Sequence, residues 1–301
     1  MNAMKTTICG IEWKNPVTTA AGTFVARESE KHYDLAALGA VTTKGVSPVA
    51  WAGNPTPRIA ETASGMLNAV GLENPGVDAY IGGELKYLKG RRLTVIANVC
   101  GHSEGEYIEV VRKLDATDVD MLELNVSCPN VREGGMAFGT DTAALTSLTR
   151  LAKAATKKPL IVKLSPNVTD IAELAAAAEG AGADALSLIN TLIGMRIDIR
   201  TGKPVLANAT GGLSGPAIKP VAVRMVYQVA KRVNIPIIGM GGIMTGEDAL
   251  EFLQAGASAV AVGTAALIDP EAPARVAAEL CALMECRQNT GITRMESGEP
   301  K

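Results

Sequence analysis

Short apolar runs rich in β-branched residues recur along the chain, and a helical amphipathic stretch follows most of them. Apolar runs without polar alternation are typical of strands that are buried on both faces of a parallel sheet. The pattern predicts eight such strands, at residues 16–20, 40–44, 94–99, 121–125, 160–163, 185–190, 236–239 and 259–263.

Helix start signals stand between these predicted strands. Ser103 followed by Glu106, and Thr245 followed by Asp248, have the spacing of a capping box. Thr169 is the predicted cap of a third helix. Apolar residues recur at helical spacing behind each signal, so each predicted helix presents one apolar face to the sheet.

Eight strand–helix units in succession predict an α/β fold, a (β/α)8 TIM barrel forming a single domain over residues 1–301. A doubly wound sheet is the alternative, but the turn at 20–23 lacks the Gly-x-Gly-x-x-Gly pattern of dinucleotide-binding folds. The segments 46–75, 127–140 and 191–216 are too long for simple connections. We expect them to form long βα loops over the active site.

Polar residues and glycines end the predicted strands. In a barrel these ends form the active-site face. A buried lysine is unfavourable unless it is paired or faces a ligand. Any one of these side chains can simply emerge into solvent, but the set predicts a polar, planar ligand over the barrel mouth. The strand-end residues are Gly22, Lys44, Asn98, Asn125, Lys163, Asn190, Gly241 and Gly263.

Glycine-rich turns follow the last three strands, at 211–215, 241–242 and 263–264. The loops after strands seven and eight are the usual phosphate site of such barrels. Glycines let backbone N–H groups approach an anion closely. The turns therefore predict a ligand that carries a phosphate group.

Composition narrows the classes of function. With 47% hydrophobic and 20% charged residues and a net charge of −2, the chain has no basic surplus for nucleic acid or an anionic membrane. Neither a signal peptide nor an apolar run of membrane-spanning length is recognisable, so we expect a cytoplasmic protein. Two histidines and five scattered cysteines, without a Cys-x-x-Cys pair, argue against a metal site, an iron–sulfur cluster and disulfides.

Cys128 is the one cysteine near a predicted strand end with polar neighbours, three residues after Asn125 and six before Gly134-Gly135. A free thiol has a pKa of about 8.5, which a nearby cation or hydrogen bond lowers. The residues alone leave three roles open for Cys128: base, nucleophile or bystander. We interpret the other four cysteines as small apolar residues without a chemical role.

Five motifs in order resemble those of dihydroorotate dehydrogenases. They are TTKG at 42–45, ETASGMLNAVGLENPG at 61–76, NVSCPN at 125–130, KLSPN at 163–167 and GMGGI at 239–243. The similarity covers nearly the whole chain, from about residue 6 to 268. Each motif alone is weak, but the ordered set is specific.

The resemblance implies that flavin mononucleotide (FMN) lies across the barrel mouth, with no metal. Ala21 stands where relatives often have Ser, which removes a hydroxyl contact and leaves the backbone contact. The implied phosphate ligands are the residues of the last glycine turns. The implied FMN contacts are Ala21, Gly22, Lys44, Gly45, Asn98, Asn125, Lys163, Ile189, Gly215, Gly241, Gly242, Gly263 and Thr264.

The resemblance also implies that dihydroorotate stacks on the flavin. Cys128 would take the C5 proton while a hydride leaves C6 for flavin N5, and Lys163 would stabilise the reduced ring. Cys at the base position is typical of the soluble class, because the membrane-bound class has Ser there. The implied substrate contacts are Lys44, Asn68, Ala69, Val70, Gly71, Leu72, Asn125, Asn190 and Thr191.

The sequence NAVGLENPGV at 68–77 resembles the corresponding loop of the NAD-linked subclass more than that of the fumarate-reducing subclass. That subclass implies a homodimeric core, assembled into a heterotetramer with a second subunit that carries FAD and a 2Fe–2S cluster. Four other interpretations stay open: the fumarate-reducing class, a dihydropyrimidine dehydrogenase-like flavoenzyme, a flavin-binding scaffold without catalysis, and a phosphate-binding sugar isomerase on the same barrel.

Overall fold

The computed structural model describes residues 4–127 and 138–289. Its centre is an eight-stranded parallel sheet that contains all eight predicted strands. The first and last residues of the strands differ from the predicted ones by a few positions. The order across the sheet is β1-β8-β7-β6-β5-β4-β3-β2. The strands are β1 Val17–Thr19, β2 Val41–Thr42, β3 Val95–Val99, β4 Met121–Asn125, β5 Leu160–Lys163, β6 Ala185–Leu188, β7 Ile237–Met240 and β8 Ala259–Val262.

Strands β1 and β2 meet and close the sheet into a barrel. The hydroxyls of Thr18 and Thr42 lie 3.1 Å apart, and the Thr19 hydroxyl donates to the Thr42 carbonyl at 2.9 Å. The backbone N–H of Gly39 donates to the Val17 carbonyl at 2.9 Å. The prediction of a (β/α)8 TIM barrel is confirmed, and the doubly wound alternative is excluded.

Helices surround the barrel. The short ones are Ala26–Ser29, Val77–Tyr80, Lys86–Gly90 and Thr264–Ile268, with a π-helical turn at Ile81–Leu85 and 3-10 turns at Leu35–Ala37 and Pro216–Ile218. The longer ones are Glu104–Asp115, Thr142–Ala154, Ile171–Gly180, Lys219–Ala230, Gly246–Gln254 and Ala272–Asn289. Within the described parts of the chain, no helix is long and apolar enough to cross a membrane.

Two of the three predicted helix starts are correct. Thr245 and Asp248 form the full capping box, and the Ser103 side chain caps its helix by accepting from the Glu106 N–H. The prediction for Thr169 is wrong. Asp170 caps that helix, because its carboxylate accepts from the N–H groups of Ala172 and Glu173. A carboxylate one residue closer to the first turn reaches both free N–H groups.

Side chains along each barrel strand alternate between two environments. In β4, Leu122 and Leu124 face outward and pack in the large core beneath the helices. Met121 faces inward with Ile96, Ile161 and Ala185 of the neighbouring strands, and forms the apolar floor of the barrel. This alternation follows from the two-residue period of a strand.

An amino-terminal hairpin closes the floor of the barrel. Its strands, Thr6–Ile8 and Ile11–Trp13, pair antiparallel. Ile8 and Trp13 are fully buried in the same apolar cluster as the inward residues of the barrel floor. The sequence pattern had not indicated this hairpin. Because apolar side chains fill the floor, a ligand has access from the carboxyl-terminal end of the strands.

The long loops after β2 and β6 combine into a second sheet, which we call the cap sheet. It is four-stranded and antiparallel, in the order Leu192–Met195, Thr210–Ser214, Gly65–Asn68 and Ile59–Thr62. Leu213 pairs with Leu67, so segments far apart in sequence lie side by side over the barrel. A small hairpin of Ile197–Asp198 and Lys203–Pro204 extends from the loop after β6.

Candidate active site

A polar layer lies inside the barrel above its apolar floor. Asn98 Nδ2 donates to one oxygen of Glu123 at 2.6 Å, and Ser187 Oγ donates to the other at 2.7 Å. Lys163 is in register with Ser187 on one side and with Asn125 on the other, so its side chain enters the same interior. These residues come from four consecutive strands, β3 to β6, and define a polar surface at the carboxyl end of the sheet.

One buried group of this layer lacks a partner among the described residues, and a buried lysine lies beside it. Lys163 is 5% exposed. Asn98 is fully buried, and its Oδ1 receives no hydrogen bond from the described residues. An unpaired buried charge or acceptor is unfavourable. The layer is therefore matched to a ligand that supplies an acceptor to Lys163 and a donor to Asn98.

Asn125 and Asn190 form an amide pair at the edge of the layer. Asn190 Nδ2 donates to Asn125 Oδ1 at 3.0 Å, while its own Oδ1 accepts from the Thr191 N–H at 2.9 Å. The Tyr107 hydroxyl donates to the Asn125 carbonyl at 2.6 Å from behind. The pair is thus fixed, and two adjacent amides are well suited to binding a flat ring with alternating donors and acceptors.

Lys44 and Gly45 follow β2 on the other side of the mouth. Burial raises the pKa of Glu84, which lies in the π-helical turn, while the Ala26 N–H and the charge of Lys44 act against that rise. Gly45 is sterically constrained, since a Cβ there would lie 2.8 Å from Asn98 Oδ1. The structure therefore brings Lys44 and Gly45 to the edge of the polar layer.

The predicted substrate segment 68–72 is held by residues 54–58. The Asn54 N–H donates to the Val70 carbonyl and Asn54 Nδ2 donates to the Ala69 carbonyl, both at 2.9 Å. Gly71 and Leu72 have φ angles of +76° and +55°, so the segment turns sharply. Asn68, the last residue of its cap-sheet strand, contacts the Gly212 carbonyl at 3.5 Å.

An ion pair braces the far end of this segment. Arg58 Nη2 lies 2.5 Å from a carboxylate oxygen of Glu73. Arg58 Nη1 also donates to the Ala52 and Asn54 carbonyls at 3.4 Å. The turn 69–72 is therefore held by Asn54 on one side and by the Arg58–Glu73 ion pair on the other.

Three glycine-containing turns meet on the other side of the mouth. A Cβ on Gly242 would lie 2.9 Å from the Gly215 carbonyl oxygen, and one on Gly215 would lie 3.5 Å from Thr264 Cγ2. The φ angles of Gly215, Gly241 and Gly242 are +97°, +124° and +79°, a region that favours glycine. Thr264 Oγ1 donates to Ser214 Oγ at 2.8 Å. These turns form a compact concavity, which we call the glycine cradle.

Lys219 lies beside the cradle but is already neutralised. Its ammonium contacts Asp248 at 2.6 Å and Glu251 at 2.8 Å, and these hydrogen bonds raise the pKa of Lys219. An anion in the cradle would therefore be held mainly by backbone N–H groups and hydroxyls.

The remaining predicted contacts line the same mouth. Ala21 and Gly22 follow β1, and a Cβ on Gly22 would meet no atom within 4 Å. Ile189 is buried after β6, and its N–H donates to the Met240 carbonyl at 3.0 Å. Gly263 caps the short helix that begins at Thr264.

Cys128 lies outside the described residues, and so do most of the residues of the predicted loop 127–140. The described ends of that loop come together, because a Cβ on Gly139 would lie 2.8 Å from the Val126 carbonyl oxygen. Phe138 packs edge-on against Tyr107. Both ends therefore adjoin Asn125, at the polar layer.

Sequence reasoning missed three polar members of the site. Glu123 and Ser187 point into the barrel from strands that read as apolar, and Ser214 contacts Thr264 from the cap sheet. The available signal was the single charged residue in MLELN at 121–125. Two-residue alternation puts Glu123 on the same face as Asn125.

A family model and individual relatives of this chain point to the same family. The model of the dihydroorotate dehydrogenase family matches residues 3–284. A protein of Alkaliphilus metalliredigens is 60% identical over 270 residues, which cover 89% of each chain. One of Lachnoclostridium phytofermentans is 60% identical over 271 residues, or 90% of each chain. One of Anoxybacillus flavithermus is 54% identical over 287 residues, covering 95% of this chain and 92% of the relative.

All three relatives are named dihydroorotate dehydrogenase B (NAD(+)), catalytic subunit. The family resemblance of the five motifs is confirmed, and the relatives bear the name of the NAD-linked subclass. With its match over nearly the whole length and its closed barrel, this chain belongs to the dihydroorotate dehydrogenase family.

Proposed function

We propose that the chain is the FMN-dependent catalytic subunit of an NAD-linked dihydroorotate dehydrogenase, which oxidises (S)-dihydroorotate to orotate in pyrimidine biosynthesis. The observation that carries this proposal is the polar layer at the barrel mouth, where Asn98 Oδ1 is buried without a partner among the described residues and Lys163 is buried nearby. The match at 60% identity to named catalytic subunits supports it. The family match over 3–284 supports one FMN-binding domain.

The residues of the mouth fit FMN at both ends. The glycine cradle offers the phosphate backbone N–H groups at turns where side chains are excluded. Lys163 offers a cation to the electron-rich edge of the ring, and Asn98 offers an acceptor. When bound, FMN supplies the acceptor for the hydride that dihydroorotate loses.

The amide pair and the braced turn 69–72 fit the substrate. Asn125 and Asn190 would hold the imide edge of dihydroorotate, with Asn68 and Thr191 completing the polar contacts. Lys44 would bind the carboxylate. Cys128, as thiolate, would take the C5 proton as the C–H bond at C6 breaks. The double bond of orotate forms between these two carbons.

We propose further that the electrons leave through a second subunit that carries FAD and a 2Fe–2S cluster and reduces NAD⁺. The words "catalytic subunit" and "NAD(+)" in the names of the relatives support this arrangement. Two copies of the present chain would form the core of a heterotetramer.

An anaerobic titration of the purified chain with dihydroorotate tests the function. We expect a yellow protein whose flavin absorbance bleaches on addition of dihydroorotate, and orotate but not uracil as an inhibitor. Bleaching by dihydrouracil alone would favour a pyrimidine dehydrogenase instead. A colourless protein that takes up no added FMN would refute the proposal.

The electron acceptor is tested by mixing. NAD⁺ should reoxidise the bleached chain rapidly only when the partner subunit is present. Rapid reoxidation by fumarate without a partner would assign the chain to the fumarate-reducing class.

A further inference from the structure

Glu123 is a buried carboxyl group with no part in the proposed reaction. It lies on β4, is 2% exposed, and reaches past β5 to accept from Ser187 on β6. Its other oxygen accepts from Asn98 on β3. Both oxygens of this side chain therefore accept hydrogen bonds. Glu123 therefore lies inside the barrel, hydrogen-bonded to the Asn98 amide of the proposed FMN site.

The contact with Glu123 sets the orientation of the Asn98 amide. A carboxylate only accepts hydrogen bonds, so it selects the Nδ2 side of the amide at 2.6 Å. Asn98 Oδ1 is consequently directed away from Glu123 toward Gly45, where the lack of a Cβ leaves it room. This oxygen is buried and receives no hydrogen bond from the residues that the structure describes.

We propose that Glu123 is a positioning residue for FMN: its carboxylate locks the Asn98 amide with the oxygen toward an N–H or O–H donor of FMN. The inference rests on the proposed FMN site and goes beyond it, because Glu123 acts through Asn98. Without the carboxylate, the amide is free to rotate and present its NH₂ group, which repels that donor.

The charge of Glu123 has a second consequence. Reduction would add negative charge to bound FMN, and a carboxylate at this site would oppose that change. Lys163, from the adjacent strand β5, acts in the opposite direction. Replacing Glu123 by a neutral group of the same shape should therefore raise the midpoint potential of bound FMN.

Two variants separate orientation from charge. In Glu123→Gln, the side-chain oxygen still accepts from Asn98 and the new amide donates to the Ser187 hydroxyl, so only the charge is lost. In Glu123→Leu, both hydrogen bonds are lost. Met121→Ala is the matched control, because Met121 lies two residues earlier on the same face of β4 and contacts the apolar floor.

The experiment measures the dissociation constant of FMN, and its midpoint potential against a reference dye, on the full chain without substrate. We expect Glu123→Gln to bind FMN within about threefold of wild type at a higher potential; a tenfold shift in two-electron equilibrium is about 30 mV. We expect Glu123→Leu to weaken binding by about tenfold to a hundredfold. In the Asn98→Ala background, that weakening should largely vanish.

Wild-type FMN affinity in Glu123→Leu would overturn the inference, as would full additivity with Asn98→Ala. If Glu123→Leu does not fold, the FMN affinity of Asn98→Ala decides, because wild-type binding without the Asn98 amide would refute a role that acts through it. An unchanged potential in Glu123→Gln would refute the effect of the charge. Equal shifts in Met121→Ala would assign the effects to general loosening of the barrel. Failure of dihydroorotate to bleach a wild-type chain that binds FMN would refute the proposed function but not this role.

Discussion

Substituting Gly242 by Ala tests the glycine cradle. Gly242 has a φ angle of +79°, and a left-handed conformation costs a residue with a Cβ about 1–2 kcal/mol. The new Cβ would also lie 2.8 Å from Lys219 Cβ and 2.9 Å from the Gly215 carbonyl oxygen. Overpacking of this kind costs about 1–3 kcal/mol, so we expect a total of about 2–5 kcal/mol.

Gly202 provides a matched control. It has a φ angle of +67°, lies in an exposed turn, and a Cβ there would meet no atom within 4 Å. Gly202→Ala should therefore cost only the conformational part, about 1–2 kcal/mol. The two variants differ in crowding and in their distance from the cradle, and both carry the same backbone penalty.

Thermal unfolding of the FMN-free chain and titration with FMN measure the difference. For a chain of this size about 2 °C is lost per kcal/mol, so we expect Tm to fall by about 4–10 °C in Gly242→Ala and about 2–4 °C in Gly202→Ala. FMN affinity should fall at least about tenfold in Gly242→Ala only, because the new Cβ displaces the backbone N–H groups of the glycine cradle. Equal Tm and equal FMN affinity in the two variants would refute the cradle.

Three further predictions follow from other groups of the site. Cys128→Ala should keep its FMN and lose about a hundredfold or more of the rate of flavin bleaching by dihydroorotate, measured by stopped flow; an unchanged rate would exclude Cys128 as the base. Lys163→Met should bind FMN at least about tenfold more weakly or slow its reduction, and normal values of both would contradict its role. Burial raises the pKa of Asp248, but hydrogen bonds from Lys219 and from backbone N–H groups outweigh burial and hold the pKa below its ordinary value. The stability given by ionised Asp248 is therefore present above its unfolded-state pKa and is lost as the pH falls through the lowered value, so the excess stability of wild type over Asp248→Asn in urea should shrink from pH 7 to pH 3.

The strands and much of the mouth were predictable because their signals are local. A buried parallel strand is a continuous apolar run, and polar residues at its carboxyl end face the mouth wherever the barrel closes. Lys163 and Asn98 were therefore found from sequence. Once the barrel is predicted, the carboxyl ends of all its strands are known to lie at one face.

Glu123 and the cap sheet were not predictable in the same way. A single polar residue inside a strand can face either side, and only the partners Asn98 and Ser187, from two other strands, identify its direction. The cap sheet pairs residues 66–68 with 212–214, and no local pattern encodes a pairing at that separation. The cap at Asp170 instead of Thr169 depended on which carboxylate or hydroxyl reaches the first turn.

The cap sheet has a consequence for how this enzyme family can change in evolution. Its strands 65–68 and 210–214 arise from loops that are separate in the gene but share one register. An insertion of one residue in either strand turns all later side chains of that strand to the opposite face. The two loops are therefore expected to evolve together. A change of register in one loop, such as one that alters substrate preference, requires a compensating change in the other.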